Sequence, residues 1–157
     1  MMSQTSSVPD DRRNEHATAD LHHKLLHFTW LQHRRLSHEI SGVNLTLPQY
    51  YTLDVLVAAG GACSIGDLAR WTQQVSATMT GIVDRLVRDG LAQRQRAEED
   101  RRTVIVAITP EGRRRHAEAS QHIRQAYEQM LHGLEPQEKT VACRAVDKVL
   151  ATLKQAS

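Results

Sequence analysis

Apolar residues recur at helical spacing through residues 75–88, and this pattern predicts a helix with one buried stripe and one polar face. The stripe consists of Val75, Met79, Ile82, Val83, Leu86 and Val87. The opposite face is small and polar, with Ala77, Thr80, Gly81, Asp84 and Arg88. A helix that enters a DNA major groove needs such a slim face, because its backbone must approach the base edges closely.

A shorter helix is predicted before this one and a hairpin after it. Ser64, with Asp67 three residues later, is a helix-start signal, and the buried side that follows is supplied by Ile65, Leu68 and Ala69. Gly90 can take the left-handed conformation that ends a helix. Residues 91–97 and 103–108 are then predicted as two strands, the second with alternating β-branched residues. Helix, turn, helix and hairpin in this order indicate a winged helix-turn-helix.

Two further helices are predicted on the amino-terminal side. The first runs from about Ala17 to Ser41, and its expected buried positions include Leu21, Leu25, Phe28, Leu36 and Ile40. The second spans residues 45–59, with Thr46 as N-cap, Pro48 in the first turn and Gln49 completing a capping box.

Two helices are also predicted after the hairpin. Thr109 and Pro110 open one that reaches about His132, and Pro136 begins the last. The last helix has an apolar stripe of Val141, Ala145, Val146, Val149, Leu150 and Leu153. The first helix and the last two carry more apolar surface than the small lobe between them can cover. A second copy of the chain would cover it, the alternative being packing within one chain.

Length and composition favour one globular domain. The chain has 157 residues, of which 40% are hydrophobic and only 4% aromatic, so aliphatic side chains must fill the core. Residues 1–15 are predicted to form a flexible arm, and residues 16–157 a single domain without internal repeats. We expect neither a transmembrane helix nor a signal peptide. Cys63 and Cys143 lack a CxxC partner, which suggests reduced thiols in the cytoplasm.

Positive charge is concentrated in the segment from Arg85 to Arg115. This segment holds nine arginines and five acidic residues, a net charge of +4, whereas the whole chain has a net charge of +2. A cluster of arginines alone more often forms a solvated surface. Directly beside a helix-turn-helix pattern, it favours contact with nucleic acid.

The segment resembles the MarR family of bacterial transcriptional regulators. The resemblance rests on LTLPQYYTLDVL (45–56), SIGDLAR (64–70), VSATMTGIVDRLVRDGL (75–91) and DRRTVIVAITPEG (100–112). It implies a mainly α (α+β) winged helix-turn-helix fold, with a DNA-binding lobe at 45–109 and dimerisation helices at 16–44 and 110–157. It further implies a homodimeric repressor that binds a pseudo-palindromic operator in double-stranded DNA and is released by a small ligand, often aromatic or phenolic.

The predicted DNA contacts lie on the second helix of the motif and on the wing. If Ser76 is the N-cap, the first turns of that helix face the groove floor. Gly81 departs from the longer polar or basic residue of many family members, which leaves more of the recognition to DNA shape. The resemblance places Arg102 in the minor groove, and Asp100 is expected to hold an arginine in place. The full predicted set is Ser64, Ser76, Ala77, Thr78, Thr80, Gly81, Arg85, Arg88, Arg94, Arg96, Arg101 and Arg102.

A ligand pocket is expected from the resemblance, between the dimer helices and the lobe. Its candidate residues are His27, Trp30, Arg34 and Tyr51, which would supply aromatic walls and a cation for a carboxylate. A position in the core or at the dimer seam is an equally good interpretation of Trp30.

Other functions have weaker signals. Six of the nine histidines lie between His16 and His38, and His23 and His27 are spaced for one helix face, but no further set completes a zinc site. Surface or interface roles, with sensitivity to pH, are the plainer interpretation of these histidines.

The only candidate residues for thiol-based sensing are Cys63 and Cys143. A cysteine in a helix such as the last one is most often a small buried residue. No phosphate loop or nucleophile elbow indicates an enzyme, and no cofactor or metal is predicted. A metal- or redox-responsive regulator, or a scaffold that does not bind DNA, are the alternatives.

Overall fold

The computed structural model describes residues 9–96 and 103–155. The elements along these two stretches are α1 (Pro9–Ser41), α2 (Leu47–Ala58), β1 (Ala62–Ser64), α3 (Ile65–Trp71), α4 (Ser76–Arg88), β2 (Ala92–Arg96), β3 (Val104–Ile108), α5 (Pro110–Met130) and α6 (Pro136–Gln155). The predicted fold class, a mainly helical winged helix-turn-helix, is confirmed.

Side-chain caps set where three helices begin. The Thr46 amide donates to Gln49 Oε1 at 2.9 Å, and the Gln49 amide donates to Thr46 Oγ1, so the predicted capping box of α2 is present. Ser64 Oγ accepts from the Asp67 amide at 3.0 Å at the start of α3. Thr109 does the same for α5. These bonds satisfy amides of the first turn that have no partner within the helix.

A three-stranded antiparallel sheet, in the order β1-β3-β2, supports the hairpin. The strands β2 and β3 fall within the ranges predicted for the hairpin. The strand β1 was not predicted, because three residues are too few to show an alternating pattern. It pairs with β3 through Ser64 opposite Ile105, and this pairing fixes the start of α3 against the sheet.

The hydrophobic core lies between α2, α3, α4 and the sheet, and it extends to the facing sides of α1 and α5. Its largest completely buried apolar side chains are Ile40, Leu53, Leu56, Leu68, Met79, Val83, Leu86, Leu91 and Val106. Gly112 allows α5 to approach the turn that follows α4, since a Cβ at this position would lie 2.1 Å from the Leu91 carbonyl oxygen.

The structure corrects two predictions about α4. Val75 was assigned to the buried stripe, but its side chain is 69% exposed because it precedes the helix as N-cap. Ser76 is therefore not the N-cap but the first helical residue. Met79, Ile82, Val83 and Leu86 are buried as predicted.

The helix α1 begins at Pro9, eight residues before the predicted start at Ala17. Residues 9–15, expected to belong to a flexible arm, are therefore helical. Proline is well suited to the first turn of a helix, and residues 10–16 contain neither glycine nor proline. The prediction of a flexible arm was based on the polar composition of residues 1–15. A polar composition limits burial but does not by itself prevent helix formation.

The two ends of the chain are little buried. Leu36 and Ile40 of α1 are buried as predicted, but Leu21, Leu25 and Phe28 are 56%, 48% and 47% exposed. Every side chain of α6 that the structure describes is exposed. Within the described residues, no helix is long and apolar enough to cross a membrane.

Candidate nucleic-acid interface

The helix α4 presents one face to solvent because its other face is anchored in the core. Met79, Val83 and Leu86 are completely buried. The opposite side carries the predicted contact residues of the first turns, with Ser76, Ala77, Thr78 and Thr80 exposed and Gly81 partly so. The structure thus brings these five residues onto one accessible surface.

This surface is slim, because its side chains are short and Gly81 has none. Thr80 Oγ1 donates to the Ser76 carbonyl at 2.9 Å, so its hydroxyl can act toward a ligand mainly as an acceptor. A Cβ at Gly81 would meet nothing within 4 Å. No side chain caps the first turn of α4, which leaves its amide groups available to an anion. The surface can therefore approach a groove closely without reading many base edges.

Arginines flank this surface, and some of them are held by carboxylates. Arg94 of β2 pairs with Asp84 of α4 at 2.7 Å, which ties the hairpin to the helix. Arg88 pairs with Asp89 at 3.2 Å. Asp84 was not predicted in this role, although it stood out as an acid on an otherwise small or basic face.

The remaining predicted contact residues differ in their exposure and in their partners. Arg85 and Arg96 are exposed, and no ion pair with another described residue engages them. Ser64 Oγ also donates to the Asp67 carboxylate at 2.8 Å, so capping uses its hydroxyl. Asp100, Arg101 and Arg102 lie outside the described residues, and their roles stay predictions.

A cavity of about 400 Å³ lies directly behind α4, between α1, α2 and the end of α3. It is lined by His33, Leu47, Pro48, Tyr51, Thr52, Asp54, Val55, Trp71, Thr72, Gln74 and Ile82. Burial, followed by the neighbouring Tyr127, Tyr50 and Asp54, raises the pKa of Tyr51, so its phenol keeps its proton. Sequence reasoning missed Asp54 and Trp71. Asp54 follows Tyr51 at helical spacing, but nothing in the sequence joined Trp71 to α2.

The four predicted ligand residues do not meet in this cavity. Only Tyr51 lines it. Arg34 lines a separate groove between α1 and α5, and its guanidinium stacks on Trp30 with 5.7 Å from carbon to ring centroid. His27 and Trp30 line neither space. Residues that share a helix face are spread along its length, so their common stripe did not imply a common pocket.

A polar cluster joins α2 to α5 beside the cavity. His116 Nε2 lies 2.9 Å from Asp54 Oδ1, and the His116 ring stacks on Tyr50 with centroids 5.3 Å apart. The Tyr50 hydroxyl lies 3.2 Å from Ser120 Oγ. These contacts connect α2 of the predicted DNA-binding lobe to α5 of the predicted dimerisation region. The sequence showed no sign of them, because the partners are more than 60 residues apart.

The histidines and cysteines form no recognisable centre among the residues that the structure describes. No group of three His, Cys, Asp or Glu is close enough there to hold a metal ion. Burial, with a smaller effect of Asp67, raises the pKa of Cys63, which disfavours the reactive thiolate. Cys143 is exposed, although a buried position was expected.

Comparison with known proteins finds relatives of both the sequence and the fold. The sequence model of the MarR family matches residues 43–103, from the end of α1 to the hairpin. The predicted resemblance to the MarR family is confirmed. The HTH-type transcriptional repressor YetL of Bacillus subtilis is 32% identical over 81 residues, 51% of this chain and 48% of YetL. The chain aligns with less than half the length of each of the curated relatives it matches, 41 to 48%.

Solved structures of the MarR family share the fold over most of the chain. A MarR family protein from Bacillus stearothermophilus has a TM-score of 0.79 at 24% identity, covering 89% of this chain and 97% of its own. A mutant MarR from E. coli, crystallised with operator DNA, has a TM-score of 0.72 at 23% identity, covering 81% and 91%. These likenesses extend the fold beyond the matched segment into the terminal helices.

Proposed function

We propose that this chain is a transcriptional regulator of the MarR type, which binds a pseudo-palindromic operator as a homodimer and represses transcription until a small ligand releases it. The observation that carries the proposal is the slim, exposed face of α4 with the exposed Arg85 and Arg96 beside it. The other face of α4 is buried in the core, which fixes the orientation of the exposed face. Such a regulator acts where the DNA is, in the cytoplasm, and is not an enzyme.

DNA binding follows from how this surface is built. The anchored side of α4 fixes its orientation, and the Arg94–Asp84 pair holds the hairpin beside it. Helix and hairpin can then enter neighbouring grooves as one rigid unit. The cations of Arg85 and Arg96 would neutralise phosphates, while the small residues of α4 would fit the groove. A mutant MarR of the same fold was crystallised with operator DNA, and this supports DNA binding by the present chain.

Dimer formation is supported by the apolar surface at the two ends of the chain. Leu21, Leu25 and Phe28 of α1 are about half exposed, as are Val149 and Leu153 of α6. Apolar surface of this extent on two exposed helices marks an interface. A two-fold axis would bury each patch against its own copy and would place two α4 helices about one DNA turn apart, roughly 10 base pairs.

Release by a ligand is supported by the position of the cavity. Ile82 lines it from α4, and His33 from α1. A molecule bound there touches both the DNA-contacting helix and the proposed dimerisation helix. Binding would therefore favour one arrangement of the two DNA-binding lobes of the dimer, one from each copy, over another.

The direct test is a gel-shift titration on the DNA upstream of the chain's own gene, with a coding fragment of equal length as competitor. We expect preferential binding of the upstream fragment and an affinity that falls steeply as salt rises. Equal weak binding of both fragments would count against an operator. A dimer that binds neither fragment would point to a scaffold that does not bind DNA.

Arginine variants test the geometry within the same assay. Arg102→Ala should weaken operator binding by at least about tenfold, and Arg85→Ala by about tenfold. Arg85→Ala should also reduce the slope of log affinity against log salt concentration by about one, because a phosphate contact is lost. Arg124→Ala is the matched control, since Arg124 lies on α5 and pairs with Glu128. Unchanged affinity in Arg102→Ala would remove the wing from the mechanism.

A further inference from the structure

Among the described residues that line the cavity behind α4 there is one carboxylate and no lysine or arginine. Asp54 contributes the carboxylate, and its side chain is 55% exposed, so it is open to an incoming group. The other titratable groups in this described lining are the imidazole of His33 and the phenol of Tyr51, whose pKa is raised by burial. This charge pattern is the opposite of the one that the sequence predicts, in which Arg34 receives a carboxylate.

The cations near the cavity already have partners. Arg34 lines the other groove and stacks on Trp30. Arg70 stacks on one face of Trp71 but is held by Asp67 at 2.6 Å. His116 meets Asp54 at 2.9 Å from the α5 side. This contact engages Oδ1 of Asp54, and no hydrogen bond or ion pair within the described residues engages Oδ2.

The walls of the cavity suit a cation with an apolar body. Tyr51 and Trp71 supply aromatic rings, each about half exposed, and Leu47, Val55 and Ile82 supply an aliphatic floor. A cation is attracted to the faces of such rings and to a carboxylate, whereas an anion near Asp54 is repelled. A cavity of about 400 Å³ is large enough for a ligand with one or two rings.

We infer that this cavity binds organic cations with an aromatic or aliphatic body, such as substituted amines, with Asp54 as counter-ion and Tyr51 and Trp71 as walls. The inference rests on the proposed function for its consequence, since such a cation would then be the signal that releases DNA. It replaces the aromatic acid that the sequence predicts as ligand.

The first test compares three probes of similar size that differ in charge. Benzylammonium, benzyl alcohol and benzoate are titrated separately into the full-length protein at neutral pH in a calorimeter. We expect benzylammonium to bind about tenfold more tightly than benzyl alcohol, and benzoate to bind most weakly. Benzoate binding as tightly as benzylammonium would overturn the inference, and so would the absence of binding by all three.

Two pairs of variants locate the site. Asp54→Asn keeps the size and one hydrogen-bond acceptor for His116, and it should reduce benzylammonium binding to the level of benzyl alcohol. Glu118→Gln, on α5 and paired with Arg114, should change nothing. Trp71→Leu should weaken binding about tenfold, while Trp30→Leu should not. An unaltered preference for benzylammonium in Asp54→Asn, or a loss confined to Trp30→Leu, would place the cation site elsewhere. If Asp54→Asn does not fold, the probe series on the unaltered protein still decides.

Release from DNA is measured separately, so that the two proposals can fail independently. Benzylammonium should release the upstream fragment and benzoate should not. Release by benzoate alone would overturn the inference about the ligand. If the unliganded protein binds no DNA, the proposed function fails, and the calorimetric order of the probes still decides the class of ligand.

Discussion

The lobe formed by α2, α3, α4 and the sheet differs from the terminal helices in where its apolar residues find their partners. Leu53, Leu68 and Leu86 of the lobe are completely buried within one chain. Leu21 and Leu153, in α1 and α6, are 56% and 59% exposed. Both regions have apolar stripes at helical spacing. A stripe therefore indicates that a helix face is buried, but not whether the same chain or a second copy covers that face.

The difference teaches how to interpret amphipathic helices at the ends of a short chain. The lobe completes its own core, because its elements are joined by short connections and pack closely. The terminal helices extend past that core and meet too little of it. Their apolar surface is therefore best explained by assembly. The comparison yields four predictions, which separate stability that arises within one chain from stability that depends on a second copy.

The largest effect is expected when a charge enters the apolar stripe of α6. Val149→Glu places a carboxylate in the proposed interface twice per dimer, and it should raise the dimer dissociation constant about a thousandfold, roughly 4 kcal/mol. Ala151→Glu is the matched control, since Ala151 lies on the opposite side of the same helix. Analytical ultracentrifugation measures both variants. An equal shift in the two would show that the stripe is not the interface.

A cavity in the lobe should cost nearly as much, but without dependence on the partner. Leu86→Ala removes a completely buried side chain, and it should reduce the free energy of unfolding by about 3 kcal/mol. Leu153→Ala is the comparison in α6. Its effect in denaturant titrations should depend on protein concentration, as expected for a contact between copies. A loss that does not change with concentration would place Leu153 in an intrachain contact.

A smaller loss is expected where α5 approaches the turn after α4. Gly112→Ala would place a Cβ 2.1 Å from the Leu91 carbonyl oxygen, so the helix must shift, and we expect a loss of about 2 kcal/mol. Gly133→Ala is the control between α5 and α6, since a Cβ there meets nothing within 4 Å. Thermal unfolding of both variants checks the pair, and similar melting temperatures would contradict the close approach.

The smallest effect is expected at a helix cap of the lobe. Thr46→Ala removes the capping box of α2 and should cost about 1 kcal/mol. Thr140→Ala serves as control, because the Thr140 hydroxyl donates to the Pro136 carbonyl within α6, on the side opposite the apolar stripe. A urea titration that finds equal stability for Thr46→Ala and the unaltered protein would show that the cap contributes little.

Local signals predicted most of the fold. Caps at Thr46 and Ser64, and the stripe from Met79 to Leu86, depend on residues within a few positions of one another, so the sequence displays them directly. The three-residue strand β1 was missed because its partner β3 lies about 40 residues away. Val75 was misplaced because one residue beyond a helix end no longer follows the helical period.

The candidate site likewise has a part that the sequence predicted and a part that it did not. The small face of α4 was predicted because a single helix builds it. The Arg94–Asp84 pair and the cavity of Tyr51, Asp54 and Trp71 were not, because each joins side chains from different elements.

By itself, then, the sequence determined the helix-turn-helix order, the helix starts and the excess of apolar surface at both ends, since these are properties of neighbouring residues. Only the tertiary structure decided which charges meet. It placed Asp54, and not Arg34, in the cavity behind α4, because helices of different directions bring together residues that no spacing along the chain relates.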